Sequence, residues 1–139
     1  MAFGARSARS VVAVACGGAI GAGIRFEIGL RFATDSSAFP VTTLAINLVG
    51  AFVLGVLLTL VLEHWPPTRY VRPFAAIGIL GGFTTFSTFA VETARLLQVG
   101  RGGLAMSYLF ASLVGGMIAV IMGVRIADLW PRLVRRGSR

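Results

Sequence analysis

The sequence has 139 residues, of which 56% are hydrophobic and 13% charged, with a mean hydropathy of +0.85. A soluble domain carries roughly 25% charged residues, so the composition reads as an integral membrane protein with room for about four spans of roughly 20 residues and no soluble domain. The formal net charge of +8 comes from 13 basic residues, all arginine; in so apolar a chain they read as orientation signals and lipid-headgroup contacts, and nucleic-acid binding is excluded for want of a folded basic face outside the spans.

The expected fold class is all-α: a single transmembrane domain over residues 1–139, with spans near 10–30, 41–62, 74–97 and 104–126. Arg6 and Arg9 ahead of an apolar run and Ala13-Val14-Ala15-Cys16 have the look of a signal peptide or lipoprotein cleavage box. The run continues through Gly17 to Ile24, so it is read as a retained first span. Cys16 is the only cysteine, which leaves no intrachain disulfide. Gly17 and Gly21 stand in G-x-x-x-G spacing, which permits close helix packing. Arg25 and Glu27, two apart, do not face each other on one helix. Arg25 reads either as a side chain snorkelling to the membrane surface, the preferred account, or as a charge at the mouth of an anion pathway.

A loop with Thr34-Asp35-Ser36-Ser37 follows, and Pro40 fits just ahead of the second span. The unusual member of that span is Asn47, an amide that serves either as glue between helices or as a pathway donor. The segment from Glu63 to Pro73 reads as an interfacial connector, with Trp65 and Tyr70 in the aromatic belt. His64 is the only histidine, so a His-based metal site or proton relay has no basis.

The third span holds the stretch on which the rest of the reading turns, Gly81-Gly82-Phe83-Thr84-Thr85-Phe86-Ser87-Thr88-Phe89. Gly78 and Gly82 repeat the G-x-x-x-G spacing, while Phe86 with Phe89 and Thr85 with Thr88 are three apart and share a face on regular helix. One reading is a helix–helix seam whose hydroxyls bond back to the backbone. The other is a helix break lining a wet pathway, exposing carbonyls to a cation and amides to an anion. Glu92 and Arg95 are spaced for a local ion pair near the membrane boundary. Gly100-Arg101-Gly102-Gly103 forms a turn, the fourth span places Tyr108 and Ser112 on one face, and the basic tail from Trp130 is expected to fray.

From Gly17 to about Gly123 the chain resembles the Fluc (CrcB) fluoride channels. The resemblance rests on Gly17 to Phe26, Thr43 to Gly50, Gly78 to Phe89 with Glu92, and Tyr108 with Ser112, the third motif being the most specific. It implies a dimer of two antiparallel four-helix subunits with two fluoride pathways, in the inner (plasma) membrane as a multi-pass protein. It further implies pore phenylalanines at Phe86 and Phe89, a pore amide at Asn47, a polar track including Thr88, Tyr108 and Ser112, and a vestibule arginine at Arg25. A structural Na+ at the dimer centre would sit on main-chain carbonyls of Gly81 and Thr84 from both subunits. The chemistry of the residues is compatible: amide and hydroxyl donors and positive ring edges can replace the water shell of a small anion, and neutral donors release it again.

The implied function is passive, fluoride-selective export down the electrochemical gradient, with no enzymatic activity; no nucleophile–base pair, metal cluster or phosphate loop stands in the sequence. With four spans the termini share a side with the connector, which places nine arginines there against Arg25, Arg31, Arg95 and Arg101 opposite. That bias favours cytoplasmic termini and keeps open a heterodimer with an oppositely oriented homologue beside the preferred homodimer. Two other classes compete: a small proton-coupled cation or drug exporter, disfavoured because Glu27, Glu63 and Glu92 fall near span ends, and a non-transporting assembly factor.

Overall fold

The structure, a computed structural model, describes residues 5–61 and 70–136, with side chains defined from residue 8 to 61 and from 70 to 129. The connector from Glu63 to Arg69 lies outside the described residues, as does Arg139. Among the described residues there is helix and no strand: α1 (Ala5–Arg31), α2 (Val41–Thr59), α3 (Arg72–Leu80), α4 (Gly81–Phe83), α5 (Phe86–Gln98) and α6 (Gly102–Arg136). Four helical stretches among these residues are long and apolar enough to cross a membrane: Ala8–Arg31, Val41–Thr59, Arg72–Gln98 and Gly102–Leu129. Helix α6 continues through Pro131 to Arg136, so the tail expected to fray from Trp130 is wound instead.

Helix α3 is wound on the wider i→i+5 turn, a rare geometry that tends to occur at functional sites, and Pro73 in its first turn removes one backbone donor. Leu80 passes directly into the short turn α4, and the helix stops there. Thr84 and Thr85 are extended, at φ −76°, ψ 158° and φ −146°, ψ 121°, before α5 resumes at Phe86.

Small residues decide which helices meet. A Cβ on Gly17 would strike the Phe74 carbonyl, one on Gly21 the Ile79 carbonyl, and one on Gly82 the Gly18 carbonyl. A Cβ on Gly78 would come within 2.8 Å of the Val14 carbonyl. The two G-x-x-x-G pairs therefore interlock, bringing α1 against α3 and α4 at backbone distance. Positions rise together along both strands of this seam, so the two segments run parallel, as first and third spans must. A second seam joins α2 to α6, where Gly123 abuts the Phe52 carbonyl and Gly55 abuts that of Val120. The Leu48 side chain lies against Gly115 earlier on both helices, so this pair is parallel too.

The buried core lies to one side of these seams. Leu96, Ala105 and Tyr108 are fully buried, with Phe39, Leu44, Phe89 and Leu104 packed around them. Tyr108 meets Phe39 edge-on at 5.6 Å between ring centroids and Phe89 at 5.1 Å. Most large apolar side chains of α1 and α6, such as Phe26, Phe110, Leu113 and Met117, face outward, the pattern expected where lipid replaces water as solvent.

Candidate functional site

A break in a membrane helix leaves peptide groups without helical partners, and hydrocarbon offers no water to take them. Here side chains from three elements take them. Asn47 on α2 binds both polar groups of Thr85: its Nδ2 donates to the Thr85 carbonyl at 3.0 Å, and the Thr85 N–H donates to its Oδ1 at 2.9 Å. Arg25 on α1 donates from Nε to the Gly82 carbonyl at 3.1 Å. Thr85 caps α5, its Oγ1 accepting from the Thr88 N–H at 3.1 Å and donating to the Thr88 hydroxyl at 3.0 Å. Thr84 bonds back to Leu80 through both its N–H and its hydroxyl, at 2.9 and 2.8 Å.

Gly81 and Thr84 are left in a different position. In unbroken helix their carbonyls would accept from the N–H groups of Thr85 and Thr88. Those two amides are engaged by Asn47 and by the Thr85 hydroxyl instead. The carbonyls of Gly81 and Thr84 thus lack the N–H groups that unbroken helix would give them, and carbonyl oxygen is a donor type suited to an alkali cation.

Two clefts flank the break. One, of about 290 Å³, is lined by Asn47, Thr84, Thr85, Phe86, Phe89, Ser112 and Leu113. The Ser112 Oγ is buried and has no hydrogen-bond partner among the described residues. Asn47 keeps one N–H beyond the hydrogen it gives to Thr85. Phe86 and Phe89 stand 5.8 Å apart between ring centroids, and Phe86 is 80% exposed. The second cleft, of about 240 Å³, holds Arg25, Thr42, Thr43, Thr85 and Thr88 among apolar residues.

Glu92 departs from its expected pairing. Its two oxygens accept from Thr43 Oγ1 and from Tyr108 Oη, both at 2.8 Å, whereas Arg95 has no partner among the described residues. The ion pair expected from three-residue spacing gives way because α5 turns Glu92 toward the packed faces of α2 and α6. Among the described residues the one ion pair is Arg31 with Glu27, at 3.4 Å on an exposed face. Arg25, expected to snorkel outward, is half-buried and reaches inward to the break.

The expected site residues are therefore divided. Asn47, Phe86, Phe89 and Ser112 share one cleft, Arg25 and Thr88 the other, with Thr85 between them. Tyr108 lines neither and gives its one O–H to Glu92. Thr43 and Thr85 are not singled out as site residues by the sequence; the available signal is that Thr43 lies four residues before Asn47, one helical turn along the same face.

A family model described as CrcB-like protein, Camphor Resistance (CrcB), matches residues 12–124. The chain belongs to the CrcB family. Relatives within it carry a function in their names. The chain is 51% identical over 130 residues to fluoride-specific ion channel FluC 3 of Streptomyces avermitilis, a match covering 93% of this chain and 64% of that protein. It is 46% identical over 119 residues to the fluoride-specific ion channel FluC of Chloroflexus aurantiacus, covering 83% and 92% respectively. FluC 2 of Nocardia farcinica, also named a fluoride-specific ion channel, is 38% identical over 117 residues, with 84% of each chain covered. The chain spans under two thirds of the Streptomyces avermitilis relative. Family membership and four membrane-crossing helices make this a multi-pass membrane protein.

Proposed function

We propose that the protein is a fluoride channel that lets the ion leave the cell passively, down its electrochemical gradient and aided by an inside-negative membrane potential. The observation that carries this reading is the 290 Å³ cleft beside the break, where neutral donors and two ring edges converge and a buried serine hydroxyl lacks a partner among the described residues. Fluoride sheds its water only if donors replace it. The second N–H of Asn47 and the Ser112 hydroxyl supply hydrogen bonds, and the edges of Phe86 and Phe89 supply positive quadrupole. None of these carries a full charge, so none holds the ion too long for conduction. Thr88 extends the polar track beyond the cleft, Tyr108 supports it from behind through its bond to Glu92, and Arg25 adds positive potential at its approach.

The working unit in this reading is an antiparallel homodimer in the lipid bilayer, with the break at mid-membrane; the alternative is a heterodimer with an oppositely oriented homologue. The 80% exposure of Phe86 supports a partner surface over the cleft. A sodium ion held by Gly81 and Thr84 carbonyls of both subunits fits the donor set that the break releases. Such an ion would supply fixed positive charge that lowers the cost of an anion in low dielectric.

The test is fluoride efflux from liposomes containing this chain alone, followed with a fluoride electrode. Wild-type efflux that Phe86→Ile suppresses, with the folded dimer intact, supports the assignment. Silence from well-folded protein, both alone and with an oppositely oriented homologue, removes it.

A further inference from the structure

The polar features do not stop at the break. They continue along α5 from Phe86 and Phe89 to Glu92 and Arg95, nine residues or about 14 Å further on, winding around the helix as they go. At the far end, where α5 and the loop before α2 meet, lies a small pocket of about 80 Å³. Thr34, Asp35, Ser36 and Ala38 of the loop line one side of it, and Glu92 and Arg95 of α5 the other. Its volume admits several water molecules.

Glu92 closes the inner end. Its oxygens are bound to Thr43, which also lines the Arg25 cleft, and to Tyr108, whose ring packs tilted against Phe89. Glu92 thus touches a wall of the Arg25 cleft directly, through Thr43, and reaches the Phe86–Phe89 cleft through Tyr108. The pocket's charges are unequally engaged. Asp35 Oδ1 accepts from the Ser37 N–H at 2.8 Å and from the Ser37 hydroxyl at 2.7 Å, and Glu92 is bound at both oxygens. The Arg95 guanidinium has no partner among the described residues, and Arg101 lies near enough to Asp35 to act on its carboxyl. What the pocket offers a diffusing ion is therefore a guanidinium still able to donate, together with hydroxyls, while Glu92 is turned to internal donors at both oxygens and Asp35 at one. The loop wall is itself fastened, with Thr42 donating to the Phe32 carbonyl and its hydroxyl 3.2 Å from that of Thr34.

We infer that this pocket is the port through which fluoride passes between the Glu92 end of the pathway and solution, with Arg95 recruiting the anion. The inference rests on the channel reading above and adds to it an opening and a residue. A guanidinium at a narrow mouth raises local anion concentration, and salt screens that effect.

The experiment uses the full chain in liposomes. In a Cys16→Ser background, Ala38→Cys protein is folded, reconstituted and then treated with a bulky impermeant methanethiosulfonate reagent at both faces. A fall in fluoride efflux of about tenfold on treatment, absent from the Cys16→Ser parent, is expected. Arg95→Gln is expected to slow efflux about threefold to tenfold at low ionic strength, with the deficit vanishing at high salt. Arg31→Gln, which removes one charge at the same end outside the pocket, is expected to match wild type. Modified Ala38→Cys protein that conducts like wild type, while Phe86→Ile still suppresses flux, overturns the port and leaves the channel reading standing. Equal behaviour of Arg95→Gln and Arg31→Gln at every salt concentration overturns the recruiting role. Absence of wild-type flux, both from this chain alone and with an oppositely oriented homologue, removes the channel reading and the port with it.

Discussion

The seam between α1 and α3–α4 and the polar patch between α2, α5 and α6 hold helices together in opposite ways. In the seam, glycines let backbone touch backbone at Gly17, Gly21, Gly78 and Gly82, and Arg25 adds one side-chain bond, to the Gly82 carbonyl. In the patch, long side chains bridge the helices: Asn47 to Thr85, Thr43 and Tyr108 to Glu92. The seam's glycine contacts cannot move without parting two backbones. The patch has donors and acceptors that can exchange partners with an ion. A conducting protein needs both, one to fix the break in place and one to present groups that make and release bonds.

Substitutions separate the two. Gly21→Val should have the largest effect on stability, about 3 kcal/mol and the upper end of ordinary overpacking, because its branched side chain meets the Ile79 carbonyl and no rotamer relieves it. Gly23→Val, which meets nothing within 4 Å, should leave stability near wild type. Unfolding titrations in detergent micelles would compare the pair, and equal losses would show that the seam is not backbone-limited. Asn47→Ala should cost about 1–3 kcal/mol by stranding both polar groups of Thr85, and should abolish flux as well, in liposome efflux.

Tyr108→Phe tests the patch more gently. It removes one hydrogen bond to Glu92 and keeps the ring packing on Phe89, so stability should fall by about 1 kcal/mol or less, within the range for interhelical bonds in membranes. A larger fall in the same micelle titration would mean that the hydroxyl supports more than Glu92. The smallest effect concerns Asp35, whose carboxyl is held below its ordinary value of 3.8 by the Ser37 N–H and hydroxyl. A lowered folded value means that its contribution is complete above 3.8 and is lost as pH falls through the folded value. Protection of the Ser37 amide from hydrogen exchange should then be flat through neutral pH and drop only in acid; a drop near neutrality would refute the assignment.

Residue spacing reveals the seam well, because a G-x-x-x-G pair marks a close helix approach wherever it lies, and both pairs found each other. The break is legible only as glycines and hydroxyls in an apolar span. Its attachments are not, since nothing local ties Arg25 to Gly82 or Asn47 to Thr85 across 57 and 38 residues. Glu92 misleads for the same reason. Three-residue spacing to Arg95 is visible along the chain, whereas the donors it takes come from neighbouring helices. The wide winding of α3 has no clear sequence signature beyond Pro73 and Gly78.

The break also constrains the order in which the protein can be made. Chains are synthesised from the N-terminus, and early segments fold before later ones emerge. The two side chains from outside the third span that take up the broken peptide groups belong to the first two helices, so Arg25 and Asn47 are already in the bilayer when Gly82 and Thr85 leave the ribosome. Each acts as a receptor waiting for the third helix. Tyr108 arrives last, on the fourth helix, so Glu92 completes its bonds only when synthesis of the bundle is nearly finished. A chain with its helices permuted, so that the third came first, would have to carry those peptide groups unpaired into lipid.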